Sequence, residues 1–211
     1  MTTPQEDFWT SQFGKDYSDR NAYSTPSELD AFYETTYGIS RSSMNSECLN
    51  GLSLGPVLEV GCNIGNQLNL LQSQGKGPLY GIEIQEYAAQ KARELSKHIN
   101  IIQGSGFDIP FKDVFFDLVF TSGVLIHVSP DDIRAFMSEI YRVSKKYIWG
   151  FEYFSSQHTA IEYRGNQDRL WKGDFSALYR EFFPNLRLVK EKRYGYLNSE
   201  NVDSMFLLEK T

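Results

Sequence analysis

The stretch Val57-Leu58-Glu59-Val60-Gly61-Cys62-Asn63-Ile64-Gly65-Asn66 joins three kinds of local structure. Val57–Val60 is an apolar, β-favouring run carrying one acid. It breaks at Gly61 into a short loop, and beyond Asn66 the residues Leu68, Leu70 and Leu71 begin an amphipathic helix. Gly61 lets the backbone turn where a Cβ would clash, and Gly65 lets a ligand or the helix approach closely. The first N–H groups of a helix are unpaired, so the helix N-terminus can receive negative charge from a ligand. A nucleotide-like cofactor is the expected occupant of this crook.

What is missing narrows the cofactor. A dinucleotide fingerprint requires G-x-G-x-x-G, but Asn63 stands at the second glycine and Asn66 follows Gly65. No Gly-Lys-Ser/Thr of a P-loop is present. Instead Glu59 precedes Gly61 in the pattern Glu-x-Gly-x-Asn-x-Gly. A carboxylate there repels a pyrophosphate and suits a cofactor with positive charge, such as the sulfonium and ammonium of S-adenosylmethionine. The plain alternative is an ordinary strand–turn–helix with a chance acid. The next β-type run, Leu79-Tyr80-Gly81-Ile82-Glu83-Ile84, ends in an acid roughly twenty residues past the turn, where a carboxylate can grip two ribose hydroxyls.

With these motifs the chain resembles the class I S-adenosylmethionine-dependent methyltransferases, and within them the bacterial pseudaminic acid biosynthesis-associated methylases. The resemblance runs through Leu58–Gly65, Tyr80–Ile84, Asp108-Ile109-Pro110-Phe111 and Phe116–His127. It continues in Tyr163-Arg164-Gly165 and Lys172-Gly173-Asp174-Phe175. It implies an α/β fold: a Rossmann-like, seven-stranded mixed sheet with its last strand antiparallel, flanked by helices and carrying an N-terminal helical lid. It also implies S-adenosyl-L-methionine as methyl donor and S-adenosyl-L-homocysteine as product.

The totals fit. The 211 residues suffice for one three-layer domain, and 41% hydrophobic with 23% charged residues is a globular composition. A net charge of -6 argues against nucleic-acid binding, because no basic excess exists to displace phosphate counterions. Cys48 and Cys62 have no metal-ligand spacing and fit a reducing cytosol. No run approaches the ~18 apolar residues of a membrane span, and the N-terminus is polar rather than signal-like. A cytoplasmic enzyme with a small-molecule acceptor is the expectation.

Residues 1–50 are expected to form the cap and residues 51–211 the core. The first twenty-odd residues are rich in aromatic groups (Phe8, Trp9, Phe13, Tyr17, Tyr23), which argues against a disordered tail. Thr25-Pro26-Ser27-Glu28 predicts a capped helix ending at Gly38, and a second helix spans about Arg41 to Leu49. The resemblance extends to Phe-Trp and Tyr-x-x-Arg-Asn in this segment, so Tyr17 or Arg20 is expected to reach the methionine carboxylate, which Arg forks bidentately. A surface ion pair is the other reading of Arg20.

The third strand leads into Ser105-Gly106-Phe107. Relatives place an acid at the position of Ser105 to receive the adenine amino group, so here its hydroxyl or the backbone takes over. Phe107 either covers the adenine face or packs as core. The fourth strand, Phe116–Phe120, is near-continuously apolar, as in a sheet centre. It opens at Thr121 and Ser122 beside the point where strand order reverses, which suits them to offer carbonyls to the cofactor ammonium.

His127 is a candidate base for an acceptor hydroxyl, or a histidine bonded to backbone. The fifth strand delivers Glu152 and Tyr153 to the same edge, with Glu152 a second candidate base. The connection at about 154–175 reads as a long functional loop. Its Tyr163, Arg164, Arg169, Trp171 and Lys172 point to an anionic acceptor, a sugar phosphate, nucleotide-sugar or carboxylate. A loop knitted by its own Arg–Asp pairs is the structural alternative. Three rival functions stand beside methyl transfer to a small molecule: a nicotinamide oxidoreductase, disfavoured by Asn63 and Asn66; a non-catalytic cofactor-binding protein; and a protein or RNA methyltransferase, the RNA reading disfavoured by the acidic net charge.

Overall fold

The computed structural model describes residues 2–211. Its core is a seven-stranded sheet whose strands are β1 (Val57–Val60), β2 (Leu79–Glu83), β3 (Asn100–Gln103), β4 (Phe116–Ser122), β5 (Ser144–Tyr153), β8 (Leu186–Gly195) and β9 (Val202–Lys210). They lie in the order β3-β2-β1-β4-β5-β9-β8. Pairings from β3 to β5 are parallel, and β9 runs antiparallel to both β5 and β8. The order therefore reverses between β1 and β4, which leaves a crevice at their carboxyl ends.

Side-chain alternation builds two cores from one sheet. Ile148, Phe206 and Leu208 face a cluster with Phe136, Met137 and Ile140 of α7 (Ile133–Val143) and Phe175 and Tyr179 of α8 (Phe175–Phe182). Trp149, Phe151, Met205 and Leu207 point the other way. They meet Leu29 and Tyr33 of α3 (Pro26–Tyr37), Met44 and Leu49 of α4 (Arg41–Leu49), and Leu68, Leu70 and Leu71 of α5 (Asn66–Ser73). Strands covered on both faces become largely apolar, as β1 is apart from Glu59 and β4 is over Leu118–Phe120. The sheet is tight where Gly150 pairs with Phe206: a Cβ at Gly150 would run into the Phe206 ring, itself 1% exposed. Gly150→Ala is expected to cost about 1–3 kcal/mol by overpacking, read as a lowered melting temperature with unchanged far-ultraviolet dichroism.

The N-terminal segment folds as α1 (Pro4–Thr10), α2 (Gln12–Arg20), α3 and α4. Thr3 and Glu6 form a reciprocal capping box on α1. Thr25 caps α3 by accepting from Glu28 N, while the Glu28 carboxylate reaches Ser24 N, and Gly38 ends the helix at φ 74°. Helix α6 (Glu86–Leu95) follows β2. The expected long loop at 154–175 is instead largely a hairpin of β6 (Thr159–Tyr163) and β7 (Asn166–Lys172). Arg164 at φ 50° and Gly165 at φ 78° make the tight turn whose twist matches that of the strands. Among the described residues no helix is long and apolar enough to cross a membrane.

Candidate active site

The crevice at the switch point has a volume of about 370 Å³, within the range of small-ligand sites. The β1–α5 turn forms its floor. Gly61 sits at φ 74°, and a Cβ there would lie 2.6 Å from Val124 Cγ2. Asn63, at φ 48°, donates its N–H to Glu83 Oε2 at 2.8 Å, while Glu83 Oε1 accepts from Gln85 N at 2.8 Å. Two backbone donors thus hold the Glu83 carboxylate in place. Burial raises its pKa, and the N–H groups of Gln85, Asn63 and Ile84 oppose the rise. Glu59 is 3% exposed and its Oε2 has no hydrogen-bond partner; neither has Asn63 Oδ1. Burial drives Glu59 well above the usual carboxylate range, against the pull of Arg41 and with the push of Glu83.

Helices α1 to α3 cover this floor. Asn66 Nδ2 donates to Asn21 O at 2.8 Å, and Gln85 Nε2 reaches Trp9 O and Ser11 O, each at 3.1 Å. Ser105, read as the stand-in for an adenine-binding acid, donates its hydroxyl to Glu6 Oε1 at 2.5 Å and accepts from Phe107 N. An acid is therefore present at that edge, supplied by α1. Tyr17, Ile84, Gly106 and Phe107 also line the crevice, and Phe107 packs edge-on against Phe136 with ring centres 5.0 Å apart.

Elsewhere in the crevice, the ring of His127 lies 4.5 Å from that of Trp9 and 5.2 Å from that of Tyr163. Its Nδ1 contacts Arg169 O at 2.7 Å. A carbonyl only accepts, so Nδ1 carries the proton and Nε2 keeps a free lone pair. Burial lowers the pKa of His127 to about 4, so the ring is neutral at physiological pH. Glu152, 1% exposed, accepts from Val124 N at 3.3 Å and has no partner at Oε2. Burial raises its pKa to about 7, opposed by the Thr121 hydroxyl and the backbone N–H groups of Val124 to Ile126. Ser122, Tyr153 and Tyr163 share the same wall.

Seven expected site residues lie outside the crevice. Arg20 is exposed on α2, its guanidinium 5.7 Å from the Phe13 ring. Gly65 serves helix packing: a Cβ there would meet Ser96 Oγ at 2.8 Å and Ala92 beyond it. Thr121 is buried and turned to Glu152. Arg164 is exposed at the hairpin turn. Arg169 lies over Phe8 at 5.1 Å, Trp171 is 6% exposed in the core, and Lys172 donates to Asn201 Oδ1. Strand alternation explains part of this, since Leu170 takes the crevice-facing position between Arg169 and Trp171.

Other lining residues carried no signal strong enough to find them. Glu6 sits in the capping box Thr3-Pro4-Gln5-Glu6, the same pattern that marks α3, and this could have been read. Tyr33, Tyr37, Tyr196 and Asp203 have no local motif. Behind them Arg41, 0% exposed, donates to Asn45 Oδ1 at 3.0 Å and to Tyr33 Oη and Ser122 Oγ, each at 3.3 Å. Among the described residues lining the crevice are five carboxylates (Glu6, Glu59, Glu83, Glu152, Asp203) and no lysine or arginine.

Comparison with known proteins agrees with this architecture. Residues 58–147 match the family model described as a methyltransferase domain. The chain is 27% identical over 152 residues to 24-methylenesterol C-methyltransferase 3 of Arabidopsis thaliana, covering 66% of this chain and 41% of the relative. It is 29% identical over 100 residues to an uncharacterized methyltransferase, sll0829, of Synechocystis, covering 46% and 47%. The chain thus spans less than half the length of these relatives.

Among solved structures, 1,6-didemethyltoxoflavin-N1-methyltransferase of Burkholderia thailandensis, with bound 1,6-didemethyltoxoflavin and S-adenosylhomocysteine, superposes with a TM-score of 0.71 at 15% identity over 100% of this chain and 92% of that one. Magnesium protoporphyrin IX methyltransferase of Synechocystis, with bound S-adenosylmethionine, gives 0.66 at 13% identity over 100% and 99%. The reversal of strand order and the antiparallel β9 are thus the architecture of these solved methyltransferases, and residues 58–147 are similar to a methyltransferase domain.

Proposed function

We propose that the protein transfers a methyl group from S-adenosylmethionine to a small-molecule acceptor. The observation that carries this is the pair of orphaned buried oxygens, Glu59 Oε2 and Asn63 Oδ1, in a crevice that no lysine or arginine lines among the described residues. A buried acceptor atom without a donor is costly, and a cationic ligand with donors of its own satisfies both. When bound, S-adenosylmethionine supplies an activated methyl on a positively charged sulfur. Glu83, held by two backbone donors, offers its remaining lone pairs to ribose hydroxyls. Glu6 and Ser105 stand ready for the adenine edge, and Tyr17 of the N-terminal lid closes over the floor.

The chain's own contribution to the reaction is to hold and align the nucleophile, which can supply most of the catalysis with so reactive a donor. Where the acceptor must lose a proton, Glu152 and the Nε2 of His127 are the groups to take it. Glu152 titrates near neutral pH, which matches a general base to its task. The acceptor was expected to be anionic, but the basic residues behind that expectation lie outside the crevice, and its acidic lining favours a neutral or cationic one. The narrower likeness to the pseudaminic acid-associated methylases would set this acceptor in bacterial glycan or secondary metabolism. That setting rests on sequence motifs, as a cytoplasmic location rests on two unpaired cysteines.

Calorimetry with S-adenosylmethionine and S-adenosylhomocysteine tests the cofactor directly, and absence of heat from both would sink the reading. Labelled donor with a panel of amines, sugars and small acids then separates turnover from binding alone. A non-catalytic cofactor-binding protein would bind donor and acceptor without moving the label.

A further inference from the structure

The β9 end of the crevice holds a feature to which the methyl-transfer reading gives no role. Asp203, the second residue of β9, lies opposite Tyr153 and is 2% exposed, yet it lines the crevice. The Tyr37 hydroxyl donates to its Oδ2, while Oδ1 has no partner. Four tyrosines surround it. Tyr37 stacks on Tyr33 with ring centres 5.3 Å apart, and Tyr196 lies 4.7 Å from Tyr37 and 5.9 Å from Tyr153.

Neither nearby cation is committed to this carboxylate. Lys172 donates to Asn201, Arg41 donates to Asn45, Tyr33 and Ser122, and no ion pair to Asp203 exists among the described residues. Burial raises the pKa of Asp203 to about 6, against the hydroxyls of Tyr37 and Tyr196, so it is ionised at neutral pH. A buried carboxylate with a free oxygen demands a positively charged donor, and electron-rich ring faces attract the same charge.

We propose that this end of the crevice is a cation subsite, in which Asp203 and its cage of Tyr33, Tyr37, Tyr153 and Tyr196 hold a positively charged nitrogen of the methyl acceptor. Only the identification of the occupant as the acceptor rests on the methyl-transfer reading; the subsite itself does not. The class of ligand is an organic ammonium with an apolar body, which fits the aromatic walls.

The test uses full-length protein saturated with S-adenosylhomocysteine and three probes of one shape: benzylammonium, benzyl alcohol and benzoate. Calorimetry should show benzylammonium binding at least about tenfold tighter than the alcohol, a gap of about 1.4 kcal/mol, and benzoate weakest. Asp203→Asn should erase the preference while leaving S-adenosylhomocysteine binding intact, and that binding also serves as the check on folding. Tyr153→Leu should weaken benzylammonium about threefold to tenfold through loss of one ring face.

Equal binding of the three probes, or a preference that survives Asp203→Asn, overturns the proposal. Loss of S-adenosylhomocysteine binding in a normally folded Asp203→Asn also overturns it, by assigning Asp203 to the cofactor. Should the wild-type protein bind no S-adenosylhomocysteine, the methyl-transfer reading fails separately, and the same probes on the free protein still decide the subsite.

Discussion

Glu59→Gln is expected to weaken S-adenosylmethionine binding about 10- to 100-fold, the span of one hydrogen bond to a charged group. The loss should be smaller for S-adenosylhomocysteine, which lacks the sulfonium charge. The substitution preserves shape and removes only the capacity for charge. In the free protein, burial raises the pKa of Glu59 against the pull of Arg41, which disfavours its charged form. A cationic ligand favours the ionised form, and binding should therefore release a proton. Calorimetry in buffers of different ionisation enthalpy should count that proton for the wild-type protein and miss it for Glu59→Gln. The sign follows: wild-type affinity for S-adenosylmethionine rises with pH, and that of the variant stays flat. An unchanged affinity ratio between the two ligands would remove Glu59 from cation recognition.

Glu152→Gln should act on both turnover and stability. If Glu152 takes the acceptor proton, turnover falls about 10²–10⁴-fold with little change in cofactor affinity. Unchanged turnover excludes it as an essential base. The stability effect holds in either case. The folded-state pKa of Glu152 is about 7 against an ordinary 4.5, because burial penalises its charge. Between these values the native state binds more protons than the unfolded state, so this contribution to stability is complete below pH 4.5 and is lost as pH rises through 7. Glutamine never ionises. At pH 8 the variant should therefore gain up to about 3 kcal/mol over the wild-type protein, while near pH 4.5 the gain should vanish. Denaturation midpoints across that range measure it, and a gain that grows toward acid pH would contradict the buried-carboxylate account.

Local chemistry accounts for what could be read directly from the chain. The strand, the positive-φ turn at Gly61 and the helix after Asn66 are contiguous, and so are Glu83 and its strand; short-range sterics and periodicity specify both. The same holds for the capped helix at Pro26–Tyr37 and for the alternation that builds two cores on one sheet. Even the hairpin at 159–172 was marked, by Arg164-Gly165 between alternating strands, although its length made it look like a loop.

Contacts between distant residues were decided only by the tertiary structure. Glu6 meets Ser105 across 99 positions and Tyr37 meets Asp203 across 166, pairings that no local pattern encodes. The facing of side chains depends on neighbours in the same way. Arg20, Arg169 and Lys172 have the right chemistry for an anionic ligand, yet packing turns them onto Phe13, Phe8 and Asn201. Sequence alone determined the fold and the glycine turn after β1, because backbone conformation and hydrophobic period are properties of neighbouring residues. The charge and lining of the crevice arose only when α1, α3, β5 and β9 closed around one space, since that electrostatic environment belongs to no single segment.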